Sequence, residues 1–149
     1  MNLTIEELPN SKIAFFRKVG EYGEVQNKEL MESFKRWMQK NGLANHPTIY
    51  GIPQDNPELT LKEECRYDVG ILVKNEENVA KPAQVGDFAG GKYAVFTLEH
   101  TKEAVHSFWE TVFSKIEENN LTVSNKPIIE RYTAELVHQH LCEILVPVQ

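Results

Sequence analysis

The chain has no run of about 18 apolar residues, so no segment qualifies as a membrane-crossing helix. Its opening residues, MNLTIEELPN, lack the basic stretch and apolar segment of a secretory signal, which makes the cytoplasm the expected compartment. Cysteine is scarce. Cys65 and Cys142 are too few for a disulfide framework and too far apart for a CxxC motif, so both read as buried thiols. The sequence singles out no basic partner that would turn either into a nucleophile, so structural thiols are expected. Basic residues are also in deficit: 16 Lys and Arg against 22 Asp and Glu give a net charge of −6, the wrong sign for tracking a phosphate backbone. Direct nucleic-acid binding is not expected. Gly20 and Gly90-Gly91 lack the spacing and basic residue of a phosphate loop and read as turn glycines. His138 and His140 have no companions that complete a tetrahedral set, so no metal is expected.

What is present suits one soluble domain with a sizeable core: 149 residues, 41% hydrophobic and 26% charged. Alternation over residues 2–8 and 12–19, broken at Pro9-Asn10-Ser11, predicts two strands joined as a hairpin. Between Glu24 and Asn41, Val25, Leu30, Met31, Phe34, Trp37 and Met38 recur at helical spacing, and Gly42 stands where a helix-ending glycine belongs. Strands follow at Thr48–Ile52 and Cys65–Val73, separated by a Pro- and Asn-rich loop, and residues 74–81 form a charged connector. The second half repeats the order. Strands at Gln84–Phe88 and Lys92–Leu98 flank Gly90-Gly91 as a second hairpin, and Thr101 is placed to cap a helix striped by Val105, Phe108, Trp109, Val112, Phe113 and Ile116. Asn119-Asn120 ends that helix, and Ile128–Tyr132 and Leu141–Val148 supply the last strands.

The halves, about 1–75 and 82–149, also match residue by residue. Ala14 and Ala94, Phe16 and Phe96, Pro47 and Pro127, and Ile49 and Ile129 each stand eighty positions apart. The fold class that follows is α+β, a single domain of duplicated strand-helix-strand-strand units related by a pseudo-twofold. Two antiparallel sheets and two main helices are expected, with a ligand groove between the halves.

Alternation puts Ile128, Glu130 and Tyr132 on one strand face. If that face lines the groove, Glu130 is a carboxylate in apolar company that needs a partner, and a ligand cation framed by rings supplies one. The competing reading is a solvated glutamate at a strand end. Tyr67 shares a face with Cys65, Val69 and Ile71 and is either a groove ring or a core tyrosine; Tyr50 and Trp109 carry the same two readings. Arg66 and Asp68, two apart on the other face, read as a modest mutual attraction. A hydrolase in which Glu130 activates water beside Tyr67 or Tyr132 is a further reading.

Taken in order, these segments resemble the GyrI-like small-molecule-binding domain, also found as the effector domain of AraC-type and MerR-type regulators. The residues that carry the resemblance are Phe16-Arg17-Lys18-Val19-Gly20-Glu21-Tyr22, Ile49-Tyr50-Gly51-Ile52-Pro53-Gln54-Asp55-Asn56-Pro57, Cys65-Arg66-Tyr67-Asp68, Gly90-Gly91-Lys92-Tyr93-Ala94-Val95 and Pro127-Ile128-Ile129-Glu130-Arg131-Tyr132. The resemblance implies an aromatic-lined pocket for amphipathic, often cationic compounds, with Glu130 as its central acid and Tyr50, Tyr67, Trp109 and Tyr132 as its walls. No cofactor is expected. Where such proteins commonly repeat a Gly-Pro-Tyr-like turn, this chain has Leu98-Glu99-His100-Thr101, so one rim differs. With no helix-turn-helix in the sequence, the resemblance is to stand-alone members, which include binding proteins, inhibitors that contact DNA gyrase and hydrolases of alkylating compounds. The leading expectation is a drug- or toxin-binding protein whose partner is a small molecule.

Overall fold

The computed structural model describes residues 3–74 and 78–149. Of the charged connector expected at 74–81, residues 75–77 lie outside them. The helical spacings produce α1 (Glu24–Lys40) and α2 (Lys102–Glu118), of 17 residues each. Thr101 caps α2, its Oγ1 accepting the Ala104 amide at 3.1 Å. Gly42 takes φ +71° just beyond α1, the left-handed conformation that a helix exit favours and glycine adopts freely. A short helix that the periodicity does not signal, α3 (Ala134–His138), follows the seventh strand.

Eight strands form one antiparallel sheet: β1 (Leu3–Leu8), β2 (Ser11–Val19), β3 (Thr48–Pro53), β4 (Arg66–Val73), β5 (Gln84–Phe88), β6 (Gly91–Glu99), β7 (Ile129–Thr133) and β8 (Leu141–Pro147). Their order is β1-β6-β8-β7-β3-β4-β2-β5. The two expected sheets are thus joined edge to edge, by β3 pairing with its own counterpart β7 across the pseudo-twofold.

Neither expected hairpin forms. β1 pairs with β6, not β2, and β5 pairs with β2, not β6. The register runs on without a shift through both connections, from Leu8↔Gly91 to Ser11↔Phe88. The stretch 3–19 is therefore one long bent ribbon laid against 84–99, and the halves exchange their first strands. Pro9 carries no amide proton and Pro9-Asn10 lacks the glycine-type residues of a tight primed turn, so the chain bends and continues where it could have reversed. Gly90 makes the crossing possible. A Cβ there would stand 2.3 Å from the Leu8 carbonyl oxygen and 2.5 Å from the Asn10 nitrogen, and the Gly90 amide donates to Asn10 Oδ1 at 2.9 Å. It is a close-approach glycine and not a turn glycine.

Alternation then sorts the strand residues between two faces. On the helix face α1 packs Phe34, Trp37 and Met38 on Ala14, Val69 and Ile71, while α2 packs Phe108, Val112 and Ile116 on Ala94, Phe96 and Val146. The opposite face gathers Ile13, Phe15, Tyr50, Phe88, Tyr93, Val95 and Leu145 from both halves into a shared cluster. The pairing expected between Arg66 and Asp68 is replaced by longer-range ones. Asp68, 4% exposed, takes a bidentate bond from Arg17, its cross-strand neighbour, at 2.7 and 2.8 Å, and Arg66 grips Asp55 at 2.8 and 3.0 Å. Residues directly opposite on paired strands stand closer than residues two apart along one strand.

Each helix covers the strands of its own half, α1 over β2 and β4 and α2 over β6 and β8. Neither main helix is centred on the central pair, β3 and β7. Two predictions follow from this packing. Gly90→Ala destabilises the chain by at least about 3 kcal/mol, because both atoms its methyl would meet are backbone; a thermal midpoint close to that of the unmodified chain would contradict the interlock. Arg17→Met strands the Asp68 carboxylate without a cation and costs about 3 kcal/mol in chemical denaturation.

Candidate functional site

Over these central strands lies a cavity of about 970 Å³. Its floor carries Ile49, Tyr67, Glu130, Tyr132, Cys142 and Ile144, and its walls include Asn27, Lys28 and Met31 of α1, Trp109 of α2 and Val137 of α3. This is the groove between halves that duplication leads one to expect.

Glu130 stands at its centre for a reason visible in the register. It lies directly opposite Gly51 of β3, at the pseudo-twofold. Tyr67 belongs to β4, on the far side of β3, and its ring reaches Glu130 only because Gly51 has no side chain. A Cβ at Gly51 would come within 2.3 Å of the Tyr67 hydroxyl oxygen and 2.5 Å of Glu130 Oε1. Across this gap the Tyr67 hydroxyl donates to Glu130 Oε1 at 2.5 Å, and Tyr132, two residues along β7 on the same face, donates to the same oxygen at 2.9 Å. Oε2 lies outside both bonds.

Burial disfavours charge on all three groups. It pushes the Glu130 carboxyl above its ordinary range, against the two phenol bonds that favour the anion. It also raises both phenols well above their usual value, and the neighbouring carboxylate adds to this. The phenols are therefore donors and not bases. Tyr22 meets Tyr67 edge-on at 6.4 Å, and His100, from the segment where the second half departs from the family pattern, leans on Tyr132 at 5.4 Å. Cys142 is pushed up to about 11 by burial and by the Glu130 and Glu143 carboxylates, so it stays a thiol at neutral pH. Cys65 is buried away from the cavity and donates weakly to Leu61 and Thr60 carbonyls. His138 lines the cavity, and among the described residues no group of three or more His, Cys, Asp or Glu is arranged to hold a metal ion.

Of the five residues read from the sequence as site candidates, the structure brings four to one cavity: Glu130, Tyr67, Tyr132 and Trp109. Trp109 is 40% exposed, so it presents ring surface to the opening and is not locked in the core. Tyr50 goes elsewhere. Strand alternation turns it away from Ile49 and into the cluster on the opposite face, 5.0 Å from Phe88. Gly51 is the residue the sequence reading passes over, although an isolated glycine within a strand pattern signals close approach.

The geometry makes two predictions. The atoms crowded by a methyl at position 51 are the far ends of side chains, so Gly51→Ala unfolds within about 1 kcal/mol of the unmodified chain. It nevertheless loses the downfield hydroxyl-proton resonance that marks the short Tyr67–Glu130 bond. The second concerns pH. Glu130 ionises near 4.5 in the unfolded chain but higher in the fold, so its contribution to stability is complete below that pH and is lost as pH rises through the raised value. Denaturation curves of Glu130→Gln lack this loss, and their stability relative to the unmodified chain rises as pH climbs above about 4.5.

Comparison with known proteins agrees with this architecture. The profile of the GyrI-like small molecule binding domain matches residues 1–149. The SPbeta prophage-derived protein YosT of Bacillus subtilis (strain 168), named as a candidate transcriptional regulator, is 62% identical over 149 residues, covering all of both chains. The structure of SAV2435 bound to tetraphenylphosphonium superposes with a TM-score of 0.68 at 20% identity, over 100% of this chain and 94% of that one. The C-terminal domain of EcmrR does so at 0.69 and 12% identity, over 99% and 97%. A duplicated sheet with a cavity over its central strands, matched by the family profile from end to end, makes this chain a member of the GyrI-like small molecule binding domain family.

Proposed function

We propose that the cavity binds amphipathic aromatic cations, with Glu130 as the counter-charge and Tyr67, Tyr132 and Trp109 as the surrounding rings. One observation carries this reading. Among the described residues, the other partly or fully buried acids that form ion pairs have arginine partners: Asp55 has Arg66, Asp68 has Arg17, and Glu143 and Glu6 share Arg131. Glu130 has phenols instead. A half-buried carboxylate on the floor of a cavity, held by phenols and by no cation, is costly to ionise, and a ligand cation entering the cavity removes that cost. The phenol bonds orient the carboxylate beforehand, so little ordering is left to binding. The Tyr67, Tyr132 and Trp109 rings that line the cavity add cation–π attraction to apolar contact. The tetraphenylphosphonium held by the similar SAV2435 structure is a ligand of this chemical class.

Isothermal calorimetry with tetraphenylphosphonium tests the reading. Glu130→Gln keeps the shape and removes the charge, and is expected to weaken binding at least about tenfold, ~1.4 kcal/mol. Because the cation favours the ionised acid, affinity of the unmodified chain rises with pH through the raised Glu130 value, while that of Glu130→Gln stays flat. Equal affinity in the two proteins across that range would remove Glu130 from the mechanism.

A further inference from the structure

The two phenols that hold Glu130 donate to the same oxygen, Oε1, and no group among the described residues bonds to Oε2. Among those residues, the side-chain atoms sealed from solvent without a partner are Asn27 Oδ1, His46 Nδ1 and Ser124 Oγ. Oε2 is not one of them. An unpaired Oε2 is therefore open to solvent, and Glu130 lies on the cavity floor. The acid meets the cavity through one oxygen.

An ionised carboxylate oxygen accepts about two hydrogen bonds, and Oε1 already has two. Two bonds to one oxygen also fix the rotation of the group, so Oε2 takes its place only by breaking both. The accepting capacity of Oε2 is left whole. The other acid of the lining, Glu24, is exposed on the first turn of α1 with Lys28 one turn on, so a cation there gains little over water.

We infer that the cavity prefers cations whose charge centre carries an N–H, such as a protonated ring nitrogen or tertiary amine, over quaternary cations of the same shape, because only the former donate to Oε2. The inference deepens the proposed function and rests on it for Glu130 as the counter-charge. A quaternary centre meets the acid through carbon groups. It gains charge attraction, but it displaces water from Oε2 and supplies no donor in return, which is costly. An N–H centre replaces that water with a charge-assisted hydrogen bond, the stronger kind.

Acridine orange and 10-methylacridine orange separate the bond from the attraction. At neutral pH both are the same three-ring dye with one delocalised positive charge, and they differ only at the ring nitrogen, which carries H in one and a methyl group in the other. Charge, ring area and the ionisation of Glu130 are common to both and cancel in the ratio of affinities. The methylated dye is the more apolar, so burial alone favours it. Fluorescence titration of the unmodified chain is expected to show acridine orange binding at least about tenfold more tightly. In Glu130→Gln the amide oxygen accepts from the phenols, which puts the amide NH2 in the place of Oε2, and the ratio falls to about one or below. Glu130→Leu, with no acceptor at all, gives the same ratio, and circular dichroism checks that both variants fold. A ratio near one in the unmodified chain overturns the inference without any variant. So does a preference that survives in a folded variant, since it then comes from the fit of the methyl group. If the dyes bind equally and Glu130→Gln weakens both, the inference falls and the proposed function stands. If neither dye binds, or if Glu130→Gln binds both as tightly as the unmodified chain does, both fall.

Discussion

The antiparallel pairing of β3 with β7 at the pseudo-twofold is the constraint on which the rest of this structure depends. Each strand is the other's counterpart in the duplication, so their ladder joins two half-domains into one sheet and sets the position of everything above it. The two main helices are drawn to the apolar strands of their own halves, and neither is centred on this central pair. The register then places a glycine opposite the only glutamate of β7. A shift of one residue would turn Glu130 to the opposite face and close the route by which Tyr67 crosses β3.

The site is a departure from symmetry built on a symmetric frame. Lys18 pairs with Tyr67, and eighty residues on Leu98 pairs with Cys142, so a phenol on one side of the cavity faces a thiol on the other. Asn27 and Val105, and Met31 and Trp109, repeat the contrast on the helices. A fully symmetric cavity would favour a symmetric ligand. These substitutions make its two sides unlike, around one central acid. The acid costs stability when ionised, since burial opposes its charge. The chain offsets that cost only in part, through two phenol bonds to one oxygen.

Much of the fold is legible in the sequence because it follows from local periodicity and self-similarity. The stripe of Phe34, Trp37 and Met38, the Thr101 cap and the Gly42 exit each act within one or two turns of chain, and the structure contains them as read. The hairpins are not legible. Pro9-Asn10 and Gly90-Gly91 are compatible with reversal or with a bend, and the choice depends on a second segment eighty residues away that can interlock with the first. Arg66 and Asp68 show the same gap, because each has a better partner elsewhere in the fold than its neighbour in sequence.

For the site, strand alternation is enough to put Glu130 and Tyr132 on one face, since that is a property of two residues on one strand. Alternation also carries the information that Tyr50 and Ile49 point opposite ways. What it cannot supply is which face the helices leave open, because that depends on how two halves divide one sheet between them. The sequence alone determined the residue types, the duplication and the local elements, all encoded within short spans. Only tertiary structure decided the strand exchange, the gap above β3 and β7 and the phenol reaching over Gly51, because each arises from segments remote in the chain meeting at separations of a few ångströms.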